Sequence, residues 1–360
     1  MEYRKKPKVI FLTKYSEKGA SSRYRVYQYL PFLKNINFKT QALQSDTSFK
    51  LMNRKGYFLK KVIYAFKDYL LRTFFIFKNL DADVIYMQRE IFAFGPLWAE
   101  ILFKTLGKKI ILDLDDALFI NKNNQNNPLS WDKASRVRRI ISRVDLVIAG
   151  NKWIRDECIK FGAKSAIHID IAETVQFEKI QKKRNSPLKA IWLGSLTTSK
   201  YLFLIEKPLK RIQDEIGLEI NIVGGNPNEK FSFKYCCFEW SRENENKYLS
   251  ISDIGLMPLP NENWSNGKCG GKARTYMASG VIPVVSNIGY NKDLIKHKVS
   301  GFLCSGSFDW EQALKLLNEN YILHKKIVEL NYKLVKTNFD KQKISKILEN
   351  SILKLVLDES

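Results

Sequence analysis

One pattern limits what this 360-residue chain can fold into: short, uninterrupted Val/Ile/Leu runs alternate with longer stretches of helical pattern. "KVIFLT" (8–13) precedes a helix from about Ser22, and "ADVIYMQ" (82–88) precedes one over roughly 95–106. "KKIILDLDD" (108–116), "VDLVIAGN" (144–151) with a helix at 152–161, and "SAIHID" (165–170) complete a first set. Strands that are apolar throughout have both faces covered, and intervening helices make them parallel. A charged stretch, "EKIQKKRNSP" (178–187), then breaks the pattern and reads as a linker. The alternation resumes at "LKAIWLGS" (188–195), "LEINIVGG" (218–225), "FKYCCFEW" (233–240), "SDIGLMPL" (252–259) and "VIPVVS" (281–286). A single core stops growing near about 250–300 residues, so two domains are also what the length predicts. The expected fold class is α/β, with two Rossmann-like doubly wound domains at 1–180 and 181–338. A closing helix over 339–360, expected to pack back toward the N-terminal domain, presents Ile344, Ile347, Leu348, Ile352, Leu355 and Val356 on one face.

Composition removes several function classes. With 45% hydrophobic and 12% aromatic residues the chain can bury true cores. Its five cysteines are scattered, with no CxxC pair and no histidine at metal-ligand spacing. That pattern points to a reducing compartment and away from zinc or a disulfide framework. The first apolar run, "VIFL" (9–12), is too short for a secretory leader, and no stretch of about 18 uncharged apolar residues exists to span a membrane.

The net charge is +23 and unevenly spread: residues 1–80 hold 18 Lys and Arg against four Asp and Glu, a net +14. Within them, "YFLKKVIYAFKDYLLRTFFIFKNL" (57–80) interleaves aromatic and aliphatic residues with Lys60, Lys61, Lys67, Arg72 and Lys78. Such a helix can lie in an anionic membrane surface, or it can face a core and present a solvated basic face. Nucleic acid is not expected as a partner, because no nucleic-acid-binding motif accompanies the charge.

In doubly wound sheets, ligands bind beyond the carboxyl ends of the strands, so the residues just after each strand matter most. After the first strand come Gly19, Ser22, Arg23 and Arg25, a small-residue turn with two fixed cations suited to an anion. A capped surface helix is the alternative there. Asp113, Asp115 and Asp116 end the "IILDLDD" strand, and three acids in one place are costly unless they act or are paired. They are the candidate catalytic residues, with an ion pair to Arg89 as the alternative. No histidine competes, since His168, His297 and His324 lie away from strand ends facing a cleft.

In the second half, Gly194 and Ser195 form a turn ahead of Lys200, and Trp240 at a strand end offers a ring for a base or for the core. The densest stretch is "NWSNGKCGGKARTYMASG" (263–280). Its glycines, Gly270 among them, allow amides to approach a diphosphate, and Lys268 and Lys272 supply charge just before Tyr276. If both lysines are helical they share a face, where like charges repel unless an anion lies between them.

These residues resemble a known family. Two βα-repeat domains with a closing helix look like the GT-B fold, two domains facing across a cleft. The block 253–303 is similar to the nucleotide-sugar region of the family-4 retaining glycosyltransferases. "SSRYRVYQYLPFL", "QREIFAFGPLWAE", "LDLDDALF", "AGNKWI" and "WLGSLTTSKYL" resemble a bacterial cell-surface-glycan branch of it. The resemblance implies sugar transfer from a nucleotide-sugar with retention, needing no metal or other cofactor. It implies that Lys200 and Lys268 or Lys272 lie against the diphosphate, that Trp240 flanks the base, and that Asp115 lies near the donor sugar. It places the acceptor in the N-terminal domain, with the Gly19 loop near the reacting centre. One departure stands out: where most of the family carries two glutamates eight positions apart, this chain has Gly267 and Thr275. The expected protein is a cytoplasmic glycosyltransferase, peripheral to the inner face of the plasma membrane. A UDP-sugar is its expected donor and a glycan or lipid-linked molecule its acceptor. The alternative is a catalytically inactive nucleotide- or glycan-binding subunit of the same fold.

Overall fold

A computed structural model describes residues 6–52, 56–120, 133–175 and 185–357. Most of the linker stretch at 178–187 lies outside the described residues. The chain forms two compact units, residues 1–172 with 341–360, and residues 173–340. The sequence pattern puts the boundary at 180, whereas the first unit gives way to the second between Ala172 and Glu173.

The first unit holds β1 (Lys8–Tyr15), β2 (Asn37–Gln44), β3 (Val84–Gln88), β4 (Lys109–Leu114), β5 (Leu146–Ala149) and β6 (Ala166–His168). They lie in the order β2-β1-β3-β4-β5-β6, every pair parallel. One face buries Val9, Phe11, Val84, Tyr86, Ile111 and Ile148. Against it packs the helix Lys341–Leu357, through Ile344, Leu348 and Ile352. Glu349 of that helix also accepts from the Asn35 backbone N at 2.6 Å and its Nδ2 at 2.9 Å.

The second unit holds β7 (Lys189–Leu193), β8 (Glu219–Val223), β9 (Cys236–Phe238), β10 (Ile254–Met257), β11 (Ile282–Ser286) and β12 (Phe302–Cys304). Its order is β12-β11-β10-β7-β8-β9, again all parallel. Because side chains alternate along a strand, Ala190 and Trp192 enter one core while Ile191 and Leu193 enter another on the opposite face. Both faces being covered explains why these strands read as continuous apolar runs.

The helix Phe58–Phe77 differs from the second expectation for it, a core-facing helix with a solvated basic face. Its inner face carries Asp68 and Arg72, which are 4% and 0% exposed. Arg72 Nη2 donates to the carbonyls of Thr13 at 2.6 Å and Gln41 at 3.0 Å, clamping β1 to β2. Phe66, Leu70, Phe74 and Phe77 instead face outward. The exposed side is thus largely apolar rather than simply basic.

Candidate functional site

In each sheet the strand order reverses once, between β1 and β3 and between β7 and β10. Connections leave those neighbours in opposite directions and open a crevice at their carboxyl ends. A buried polar side chain props each crevice.

In the second unit β7 and β10 pair only at Ala190–Ile254 and Ile191–Gly255. Beyond that the strands part, and the hydroxyl of Tyr276, from the helix Gly271–Ala278, fills the gap. It accepts from the Leu193 N–H at 3.1 Å and donates to the Leu256 carbonyl at 3.1 Å. The ring lies on Gly255, where a Cβ would come within 2.3 Å of it. Tyr276 is fully buried, and that burial pushes its hydroxyl pKa well above 10. The expectation that Tyr276 touches a donor is therefore corrected: it is a strut holding the crevice open.

In the first unit the equivalent prop is Gln88. Its Oε1 accepts from Lys14 N at 3.1 Å and Ser22 Oγ at 2.9 Å, and its Nε2 donates to Ser21 Oγ at 3.0 Å. Ser22 Oγ also accepts from Tyr15 N at 3.1 Å, so this buried serine fastens two strand ends and is not placed to hold a ligand. Gly19 is small because a Cβ would come within 2.3 Å of the Tyr15 side chain. The expected helix after it is a single turn, Ala20–Ser22, running into a π-helical turn, Arg23–Tyr27.

That wider turn sends Arg25 inward. Its Nε donates to Asp113 Oδ1 at 2.8 Å, and its Nη1 to the Ile169 carbonyl at 2.9 Å. The Tyr86 hydroxyl donates to the other oxygen of Asp113. Arg25 is 2% and Asp113 0% exposed. Burial pushes the Asp113 carboxyl upward, against the pull of Arg25 and the Tyr86 bond. Asp113 as a catalytic residue and Arg25 as a phosphate ligand are thus both corrected: they are an interior ion pair, and each needs the other. Arg23 remains near the rim, its guanidinium 5.1 Å from the Tyr24 ring and its Nη1 3.3 Å from the Glu17 carbonyl.

Asp115 forms a two-point bond with Arg89, at 2.9 and 3.0 Å, and Asp116 lies 3.5 Å from the same guanidinium. This is the ion pair held open as the alternative. Arg89 takes a left-handed backbone, φ 69°, a costly conformation for a residue with a Cβ. It is kept there by an N–H bond to the Asp113 carbonyl at 3.0 Å and by the carboxylates in front of it. Of the three aspartates, Asp116 is the most open to solvent. A cavity of about 210 Å³ opens at the ends of β1 and β2, lined by Lys14, Gln44, Ser48, Lys61, Tyr64 and Asp68 among others. Burial, with help from Arg89, lowers the pKa of Lys14 there.

The second unit gathers the other candidates. Gly194 is required by close packing: a Cβ would come within 2.1 Å of the Trp192 ring. Gly224, at φ 80°, nests against it, with the Gly194 carbonyl 2.4 Å from where a Cβ would stand. Ser195 is exposed and engaged with the Thr197 and Thr198 hydroxyls at 3.1 and 3.2 Å. Lys200 is exposed on a 3-10 turn, its ammonium 5.9 Å from the Tyr201 ring. Trp240 is 44% exposed and donates from Nε1 to Glu245 at 2.6 Å, which fixes its ring at the end of β9.

Lys268 and Lys272 do not share a helix. Lys268 lies in the irregular turn between the short helix Asn263–Asn266 and Gly270, which begins the helix Gly271–Ala278 at φ 64°. The turn nevertheless brings the lysines together over aromatic rings. Lys268 Nζ is 3.6 Å from the Trp264 centroid, and Lys272 Nζ is 4.4 Å from that of Trp192. Burial, then the charge of Lys268, depresses the pKa of Lys272 to about 7. Among the described residues no carboxylate is ion-paired with Lys272. Beside this turn a concavity of about 690 Å³ lies at the ends of β10, β11 and β12. Asn266, Ser286, Asn287, Lys292 and Ser305 line it.

One residue of the second unit was not legible in the sequence. Glu173 accepts from Thr275 Oγ1 at 2.9 Å, and burial raises its pKa. A carboxylate thus meets position 275 from a segment 102 residues away, a contact that only the fold creates. Among the described residues no cluster of three or more His, Cys, Asp or Glu could hold a metal ion.

Residues 187–320 match the family described as "Glycosyl transferases group 1". No curated protein sequence matches the chain. Among solved structures, a glycosyltransferase from Rickettsia africae superposes with a TM-score of 0.68 at 15% identity, covering 99% of this chain and 100% of that one. Alr3699/HepE of Anabaena, in complex with UDP-glucose, does so with 0.67 at 13% identity, covering 96% and 99%. TarM of S. aureus, whose mutant was solved with fondaparinux, alpha-GlcNAc-glycerol and UDP, gives 0.62 at 12% identity over 81% of this chain and 59% of that one. The 187–320 segment, which contains Lys200, Lys268 and Lys272, is thus of the group 1 glycosyltransferase type, and the chain as a whole has the two-domain α/β fold of the GT-B glycosyltransferases.

Proposed function

We propose that the chain transfers a sugar from a nucleoside-diphosphate donor, a UDP-sugar, to a cell-surface glycan or lipid-linked acceptor, with retention of configuration. The observation that carries this reading is the Lys268–Lys272 turn. Two ammonium groups of one turn lie over tryptophan faces, and burial, with the charge of Lys268, depresses the pKa of Lys272 to about 7. Such an arrangement is relieved by an anion, and the amides of the Gly271–Ala278 helix start add to the same field. As the bond from the anomeric carbon to the diphosphate breaks, charge develops on the leaving oxygens, where fixed cations act most strongly. The acceptor hydroxyl attacks from the face the diphosphate leaves, and its proton passes to the departing phosphate. Trp240 suits the base, Lys200 is within the same segment for the phosphates, and Asn266, Ser286 and Asn287 offer polar groups to a sugar or ribose. The enzyme works in the cytoplasm and needs no cofactor in this reading.

Calorimetric titration with UDP and UDP-glucose tests it. Lys272→Ala should weaken binding and turnover at least about tenfold, since one such donor is commonly worth about 10²–10³ in rate. Unaltered affinity and rate in that variant would remove Lys272 from the donor site. An inactive subunit would bind the nucleotide-sugar and never release free sugar from it, so turnover separates the two forms of the proposal.

A further inference from the structure

The helix Phe58–Phe77 is inside out for a protein in water. At about 100° per residue, Leu59, Val62, Phe66, Leu70, Phe74 and Phe77 fall within an arc of roughly 120°. They are 48% to 70% exposed. The opposite arc holds Asp68 and Arg72, both buried. Scattered exposed apolar side chains are ordinary, but a continuous stripe along a 20-residue helix, about 30 Å long, is not. Lys60, Lys67 and Lys78, all exposed, line one edge of the stripe. The sole acid of the helix, Asp68, points away from that surface.

We propose that this helix seats the first unit on an anionic lipid bilayer, with the apolar stripe in the headgroup boundary and the lysine edge among the lipid phosphates. The chemistry selects that occupant. Among the described residues no helix is long and apolar enough to cross a membrane, so the helix lies in the surface. The net +14 of residues 1–80 complements anionic headgroups. A second copy of the chain would bring the same lysine edge and the same cationic quarter to the contact, like charge against like.

Flotation of the full chain with vesicles of phosphatidylcholine mixed with phosphatidylglycerol, against phosphatidylcholine alone, tests the proposal. The protein should partition to the mixed vesicles at least about tenfold more strongly, and less so as salt is raised. Leu59→Gln/Phe66→Gln/Phe74→Gln should lower that partition at least about tenfold with unchanged Tm and unchanged UDP affinity, because the three side chains are exposed. Lys60→Glu/Lys67→Glu/Lys78→Glu should abolish the preference for the anionic vesicles. Three results would overturn it: no partition of the wild type, wild-type partition by the glutamine variant, or a dimer by light scattering that the glutamine variant dissolves while no vesicle binding is seen. UDP affinity is read separately, so failure here leaves the donor-site reading untouched, and failure there leaves this one.

Discussion

At the scale of single residues, Lys272 is the most informative. Its pKa is depressed to about 7 because the side chain is half-buried and feels the charge of Lys268. A bound diphosphate adds attraction and raises that value, so binding takes up a proton above pH 7. UDP affinity should therefore fall as pH rises from about 7 to 9, approaching about tenfold per unit, while Lys272→Met shows a flat, weak profile. The same shift acts on stability. The unfolded chain holds this proton up to about 10.5 and the folded chain only to about 7, so the contribution of the site to stability rises with pH between those values. Lys272→Met should accordingly stabilise the unliganded protein most below pH 7, with the gain fading toward pH 10. Urea denaturation at pH 6 and pH 10 checks this; a gain that grew with pH would contradict the assignment. The concentration of glycines and lysines at 263–280 was plain in the sequence, but not that Lys268 lies outside the helix that carries Lys272. The fates of Asp113, Arg25 and Tyr276 were not legible, because sequence shows what a side chain can do and not which way a turn points it. A π-helical turn in place of an α-helix is enough to send Arg25 into the interior.

At the scale of elements, the two crevices show how a parallel sheet is kept open at its switch point. Where β7 and β10 part, two backbone groups lose their ladder partners, and a buried N–H or C=O left unpaired is costly. Tyr276 satisfies both, and Gly255 makes room for its ring. Tyr276→Phe keeps the packing and orphans the Leu193 N–H and the Leu256 carbonyl, which should cost about 1–3 kcal/mol. Gly255→Ala should be worse, since its Cβ would fall inside the ring contact and drive the tyrosine out. Denaturation midpoints of the two variants rank them; a Gly255→Ala protein as stable as wild type would show that the ring does not occupy that space. The buried strands were readable as apolar runs, and the helices near 98–105 and 152–160 followed from the pattern between them. Two strands were not. β2 lies at a sheet edge and is polar and half-exposed along its length, so it lacks the apolar run, and β12 is only three residues long.

At the scale of the whole molecule, the chain leaves its first unit at Ala172, builds the second, and returns after Asp340 to finish the first. The periodic face at 344–356 was plain in the sequence; its return to the N-terminal domain was expected from the resemblance, because periodicity by itself carries no address. The return makes the last helix a structural part of a core begun at Lys8. Ile344, Leu348 and Ile352 are 3%, 2% and 0% exposed within the same cluster as Val9, Phe11 and Tyr86. Each Ile→Ala or Leu→Ala truncation at such positions typically costs about 2–5 kcal/mol. Together these exceed a large share of the roughly 5–15 kcal/mol by which a domain is stable. Ile344→Ala/Ile352→Ala should therefore lower or abolish the transition of the first unit alone, while the second unit, whose two cores contain none of these residues, keeps its transition and its stabilisation by UDP. Differential scanning calorimetry with and without UDP resolves the two. Loss of both transitions together would mean that the units do not fold independently and that the last helix supports the second unit as well.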